Sequence, residues 1–150
     1  MKSGTVLPEY LPALAGLAFS AFTSATVLPG TSEAVYLALH LAGAAPAALL
    51  LAVASVANVA GSCVNWLIGR AAARLRGTRW LPDGETLARA ERWFGKWGKW
   101  SLLLSWVPVV GDPLTVVAGV LRVPFPVFLA IVAVAKTARY AAIMCLARLL

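Results

Sequence analysis

Apolar residues run along this chain in blocks. Residues 10–28, 34–44, 46–69, 101–121 and 125–147 carry almost no charge, and polar residues collect between them. A helix needs about 20 apolar residues, and at least about 17, to cross a bilayer. The runs 46–69 and 125–147 meet that length, and 10–28 reads as a first membrane helix. The run 34–44 has 11 residues and is half a crossing. It follows Pro29-Gly30, and a carboxylate, Glu33, stands beside that break. The run 101–121 is long enough to span, but Pro108, Gly111 and Pro113 fall at its centre with Asp112 among them. Its two arms are each about half a membrane thick at about 1.5 Å per residue.

The two broken runs match. Pro29 and Pro108 are each followed four positions on by an acid, Glu33 or Asp112. Ala42-Gly43 in the first corresponds to Ala118-Gly119 in the second. Pro46 and Pro124 then open the two long spans, and Asn58 and Lys136 each lie twelve residues beyond the proline. The pattern predicts an all-α integral membrane protein of one domain, 1–150. Residues 10–69 form a first hairpin plus span, 70–100 a basic loop, and 101–148 a second hairpin plus span. With one span between them, the hairpins enter from opposite faces, as in inverted-repeat transporters, where interrupted segments in matching positions mark the binding site. Backbone freed at such a break needs protein or water, because lipid offers no partners. Glu33 and Asp112 are therefore candidates for a transport or proton site, since a charge at bilayer depth is costly. The plainer reading makes Glu33 a favourable first-turn acid, with Thr31 or Ser32 as N-cap.

Charge sharpens the topology. Residues 70–99 hold eight Arg or Lys and three acids, which is five of the seven net positive charges. Between apolar runs such a cluster marks a cytoplasmic loop better than a nucleic-acid surface. Within it, residues 84–100 are predicted as an amphipathic helix. Trp93, Trp97 and Trp100 fall on one side, and Arg89, Arg92, Lys96 and Lys99 on an adjacent stripe. That helix suits the membrane interface, with indoles at headgroup level and cations near lipid phosphates. Gly95 and Gly98 weaken it, at about 1 kcal/mol each relative to Ala.

Composition agrees. The chain is 61% hydrophobic and 13% charged, with a mean hydropathy of +0.82, against about 45–50% and about 25% in soluble domains. Lys2 and the run from Leu11 resemble a signal peptide, but Pro8, Glu9 and Pro12 interrupt it, so the segment is read as retained. Cys63 and Cys145 lie in apolar stretches and read as small hydrophobes. His40 reads as a core residue. Asn58, Gly61, Asn65 and Gly69 recur at helical spacing and predict close helix packing with interhelical hydrogen bonds. No Ser–His–Asp set, metal-ligand spacing or phosphate loop is present, so neither an enzyme, a metal nor a cofactor is expected.

LPGTSE (28–33), SWVPVVGDPLTVVAG (105–119) and AKTARY (135–140) resemble the YqaA-like branch of the DedA/VTT membrane proteins, also called SNARE-associated Golgi proteins. The likeness runs over roughly residues 15–145. It implies two re-entrant hairpins facing each other among transmembrane helices. For the wider family it implies proton-coupled transport or lipid scrambling, including flipping of undecaprenyl phosphate. The better-understood DedA members carry an Arg three positions before and three after the proline of the second hairpin. Here those positions are Ser105 and Gly111, so flipping of a lipid phosphate does not carry over directly. Arg122, Lys136 and Arg139 are the cations available to replace them.

Three functions follow for testing. A multi-pass inner-membrane transporter or lipid translocase uses Glu33, Asp112, Lys136, Arg139 and Asn58 to move a small solute or lipid headgroup, with a proton as coupling ion. A membrane-organising protein uses the Trp helix on lipids or partners while its buried charges are structural. A nucleic-acid-linked protein uses the basic loop, which the Trp stripe disfavours. The partners expected are membrane lipids, a small solute or headgroup, a proton and a second copy of the chain, and not nucleic acid. Lys136 is expected to pair with Glu33 or Asp112. Two acids against one lysine leave an excess negative charge, so one acid can carry a proton while the other pairs.

Overall fold

The computed structural model describes residues 7–26, 31–74, 84–107 and 109–149. Those residues form six α-helices and a 3-10 segment, with no strand among them. The helices are α1 (Leu7–Ser24), α2 (Thr31–Leu41), α3 (Ala47–Ala72), α4 (Gly84–Trp97), α5 (Gly111–Val120) and α6 (Phe125–Ala147), and the 3-10 segment is Gly98–Trp106. By length and composition α3 and α6 are able to cross a membrane. Both follow a proline, Pro46 and Pro124, held at φ −55° with extended ψ, so the chain enters each span from a fixed direction.

α2 and α5 stop in the same way. At the end of α2 the amide of Gly43 donates to His40 O at 3.1 Å and that of Ala44 to Leu39 O at 3.0 Å. At the end of α5 the amide of Arg122 donates to Gly119 O at 3.1 Å and that of Val123 to Ala118 O at 2.9 Å. This double closure needs a left-handed residue, and Gly43 (φ 62°) and Arg122 (φ 58°) take it. The structural counterpart of Gly43 is thus Arg122, three positions beyond the Gly119 that the sequence match assigned. Gly119 has another duty. A Cβ there would overlap Trp66 O, and one at Gly69 would overlap Val116 O, so α3 and α5 cross backbone to backbone. Gly61 does the same for α3 against α1, where a Cβ would come within 2.7 Å of Phe22 O.

Two apolar clusters hold the bundle. Leu17, Tyr36, Ala45, Leu50, Ala54 and Tyr140 form one, and Trp66, Phe94, Leu102, Leu114, Val117, Ala118, Phe128 and Val132 the other. α3 enters the first through Leu50 and the second through Trp66, while α6 meets them in reverse order, so the two spans are antiparallel. Leu50 and Trp66 are about 24 Å apart along a helix. Between the clusters, α3 presents Ser55, Asn58, Ser62 and Asn65, all buried, and α6 presents Lys136, also buried, and Arg139. This polar layer is where α2 and α5 begin, and from it they run toward opposite clusters.

The expected element boundaries hold closely for both spans. The helix expected over 84–100 is shorter: it ends at Trp97, Gly98 adopts φ 57°, and the chain continues as a 3-10 helix to Trp106. The run 101–121 is broken at Val107–Val110, where Val109 is left-handed at φ 72°. Pro108 lies outside the described residues. So do Pro29 and Gly30, between the end of α1 and the start of α2.

Candidate functional site

Each arm that ends in the polar layer leaves carbonyls without a helical donor. In the first, the amide of Ala25 turns back to Phe22 O at 3.2 Å, and the freed carbonyls are met from α3. Asn58 Nδ2 donates to Ala21 O and Asn65 Nδ2 to Ala25 O, each at 2.7 Å. Asn65 also donates to Thr115 Oγ1 at 3.1 Å, tying α1 to α5. In the second, Arg139 Nη1 donates to Trp106 O at 3.3 Å, at the end of the 3-10 segment. The spacing of Asn58 and Asn65 had indicated interhelical hydrogen bonds, and the bonds go to the ends of broken helices.

Both acids stand in a first turn, where the helix dipole favours a negative charge. Asp112, at the start of α5, accepts from Lys136 Nζ at 3.1 Å. Pro113 fits beside it because a first-turn residue needs no helical amide. Glu33, at the start of α2, pairs with Arg139, with Oε1 3.2 Å from Nη2. The lysine therefore serves Asp112, and Glu33 has its own cation. Counting Lys136 alone against two acids left a negative excess; Arg139 cancels it when all four groups are charged.

The acids are equally half-buried, Asp112 at 24% and Glu33 at 22%, and the cations differ modestly, Lys136 at 1% and Arg139 at 11%. The Glu33–Arg139 pair borders a cleft of about 360 Å³ lined also by Trp106, Val107 and Ile143, whose surface is apolar. Glu33 Oε1 and Arg139 Nε are buried without an aligned hydrogen bond among the described residues, so the contact is one of charge. Around it runs a chain of neutral groups. Tyr140 OH donates to Ser32 Oγ at 2.8 Å, Ser24 Oγ donates to the same oxygen at 2.9 Å, and Ser32 Oγ lies 3.3 Å from Glu33 Oε2. Arg139 Nη2 also reaches Asn58 Oδ1 at 3.4 Å. Ser32 is thus part of this network. Sequence reasoning missed Ser24 and Tyr140. The signal for Tyr140 was its place four residues beyond Lys136 on one helical face; nothing local marks Ser24.

Ser105 and Gly111 lie back to back. A Cβ on Gly111 would come within 2.5–2.8 Å of the backbone of Ser105, and Ser105 is buried. A long side chain at 111 would part the 3-10 segment from α5, so this packing accommodates no arginine there. Arg122 sits in the left-handed turn at the far end of α5, whereas Lys136 and Arg139 lie in the polar layer. His40 stacks on Tyr36 with ring centroids 6.0 Å apart. On α4, Phe94 is buried, while Trp93 and Trp97, with Trp100 just beyond in the 3-10 segment, are 42%, 55% and 61% exposed, so the indoles do not pack into the protein. Arg92 and Lys96 are exposed beside them. Among the described residues no three His, Cys, Asp or Glu side chains are grouped to hold a metal.

A family model for the VTT domain matches residues 28–148. The chain is 36% identical over 124 residues to the inner membrane protein YqaA of Escherichia coli, covering 83% of each, and equally to that of Shigella flexneri. It is 34% identical over 136 residues to an uncharacterized protein of Haemophilus influenzae, covering 83% of this chain and 81% of that one. No solved structure matches it. The chain belongs to the VTT-domain (DedA) family and is a membrane protein of the YqaA-like kind.

Proposed function

We propose that the protein is a multi-pass inner-membrane transporter or lipid translocase, built as two re-entrant hairpins in an inverted repeat, that moves a small solute or lipid headgroup with a proton as coupling ion. One observation carries this reading: two carboxylates open two short helices that leave the polar layer in opposite directions, and the Glu33–Arg139 pair faces a cleft. α1, α2 and α3 are one half, and the 3-10 segment, α5 and α6 are the other. Asp112 and Lys136 belong to the same half, whereas Glu33 reaches across to Arg139. Rocking of one half against the other about the close α3–α5 crossing, a motion of the kind inverted-repeat transporters use, leaves the first pair intact and parts the second. Once the Glu33 contact is parted, Arg139 keeps only its neutral partners, Trp106 O and Asn58 Oδ1, and its charge is available to an anionic group. On this reading the protein is not an enzyme and the basic loop 70–99 faces the cytoplasm, which its charge supports.

Purified protein in vesicles, with fluorescent phosphatidylglycerol as lipid probe and a trapped pH dye as proton probe, tests this. Wild-type protein is expected to speed movement of at least one probe, and Glu33→Gln and Asp112→Asn to abolish it. Wild-type vesicles passing neither probe, or full activity in both variants, would leave a membrane-organising role. The exposed indoles of α4 favour that second reading. Cys substitution at Arg76 checks orientation: an impermeant thiol reagent should not label it in intact cells.

A further inference from the structure

A second surface lies away from the polar layer. α4 is anchored by Phe94, which is buried against Trp66, Leu102 and Leu114. With that side fixed, two clefts flank the exposed indoles. One, of about 410 Å³, is lined by Arg89, Arg92, Trp93, Lys96 and Trp97. The other, of about 260 Å³, is lined by Trp93, Trp97, Trp100, Ser101, Leu103 and Leu104. Trp93 and Trp97 form the wall between them, so the lining changes from cationic to almost wholly apolar across two side chains. Neither of the two ion pairs among the described residues involves a cation of α4. Lys96 instead lies over the Trp97 ring at 5.8 Å, and Lys99 over Trp100 at 5.6 Å. A further Arg–Trp contact, Arg70 over Trp66 at 5.1 Å, involves the apolar cluster that anchors α4.

We propose that α4 and the 3-10 segment form a binding site for one anionic phospholipid, its phosphate among Arg89, Arg92 and Lys96 and the upper part of one acyl chain between the indoles and Leu103. Charge complementarity selects the headgroup. The adjoining apolar cleft selects a lipid over a soluble anion or a nucleic acid, neither of which offers a hydrocarbon chain. Indoles at headgroup depth with cations beside them fit this placement.

The full chain is placed in phosphatidylcholine vesicles containing either phosphatidylglycerol or phosphatidylcholine brominated on its acyl chains, and quenching of tryptophan fluorescence is read. Brominated phosphatidylglycerol is expected to quench more strongly at equal mole fraction. Arg92→Gln with Lys96→Gln is expected to weaken that preference by about fivefold per cation, and Leu103→Ser to lower quenching by both lipids with the charges intact. All three positions are exposed, and retained helicity shows that the fold survives. Equal quenching by the two lipids overturns the proposal, as does a preference that survives loss of the cations. Quenching by both lipids that is indifferent to Leu103→Ser reduces the site to surface charge and also overturns it. Displacement by millimolar inorganic phosphate would make the occupant a free anion and reject the lipid.

Discussion

The two halves are assembled from the same parts: an arm ending in the polar layer, a short helix opened by an acid, a left-handed turn, a proline and a long helix. They differ in what the long helix contributes. α3 gives neutral amides, Asn58 and Asn65, which meet the ends of α1. α6 gives both cations. Asp112 therefore meets its cation within its own half, and Glu33 meets its cation only across the boundary. Asn58 and Arg139 touch across that boundary as well. The difference assigns a division of labour. Lys136–Asp112 holds one half together, and Glu33–Arg139 latches the two halves.

Breaking the inner pair should have the largest effect. Lys136→Ala leaves a half-buried Asp112 without its cation and is expected to cost about 3 kcal/mol, the low end for breaking a buried pair, seen as poor accumulation and a lower melting temperature in detergent. Replacing both members, with Lys136→Met and Asp112→Leu, should restore much of the fold and no transport, because an apolar pair of similar volume is often as stable. Next comes the crossing between α3 and α5. Gly69→Ala forces a Cβ onto Val116 O and should cost about 1–3 kcal/mol, testing whether the second short helix is fixed to the first half's span by contact as close as described. Glu33→Gln should cost about 1–2 kcal/mol, since it keeps the volume and leaves Arg139 its contacts to Trp106 O and Asn58, while transport falls at least about tenfold. The smallest effect tests the turns. Arg122 occupies a conformation that Gly43 adopts at no steric cost, so Arg122→Gly should leave the fold intact and raise stability by up to about 1 kcal/mol.

Much of the fold was legible in the chain. The spans α3 and α6 show as long uncharged runs, and the breaks show through Pro and Gly, because these residues act locally on the backbone. The acids beside the breaks were found for the same reason. The partner of Glu33 was not. Lys136 and Arg139 both lie on α6, and which acid each meets depends on where α2 packs, a relation between residues more than 100 positions apart that no spacing records. The 3-10 stretch was hidden for a different reason: SLLL reads as an apolar helix of any kind, and only the left-handed Gly98 marks the change. The match of Ala42-Gly43 to Ala118-Gly119 misled because the turn-forming position is glycine in one half and arginine in the other.

The central claim is that the latch between the halves is required for transport and dispensable for folding, whereas the pair inside one half is required for both. The most direct measurement is the rate of probe movement in vesicles for Glu33→Gln, normalised to folded protein and set beside its melting temperature. The account predicts a melting temperature within a few degrees of wild type and a rate lower by at least about tenfold. A wild-type rate in that variant would contradict it.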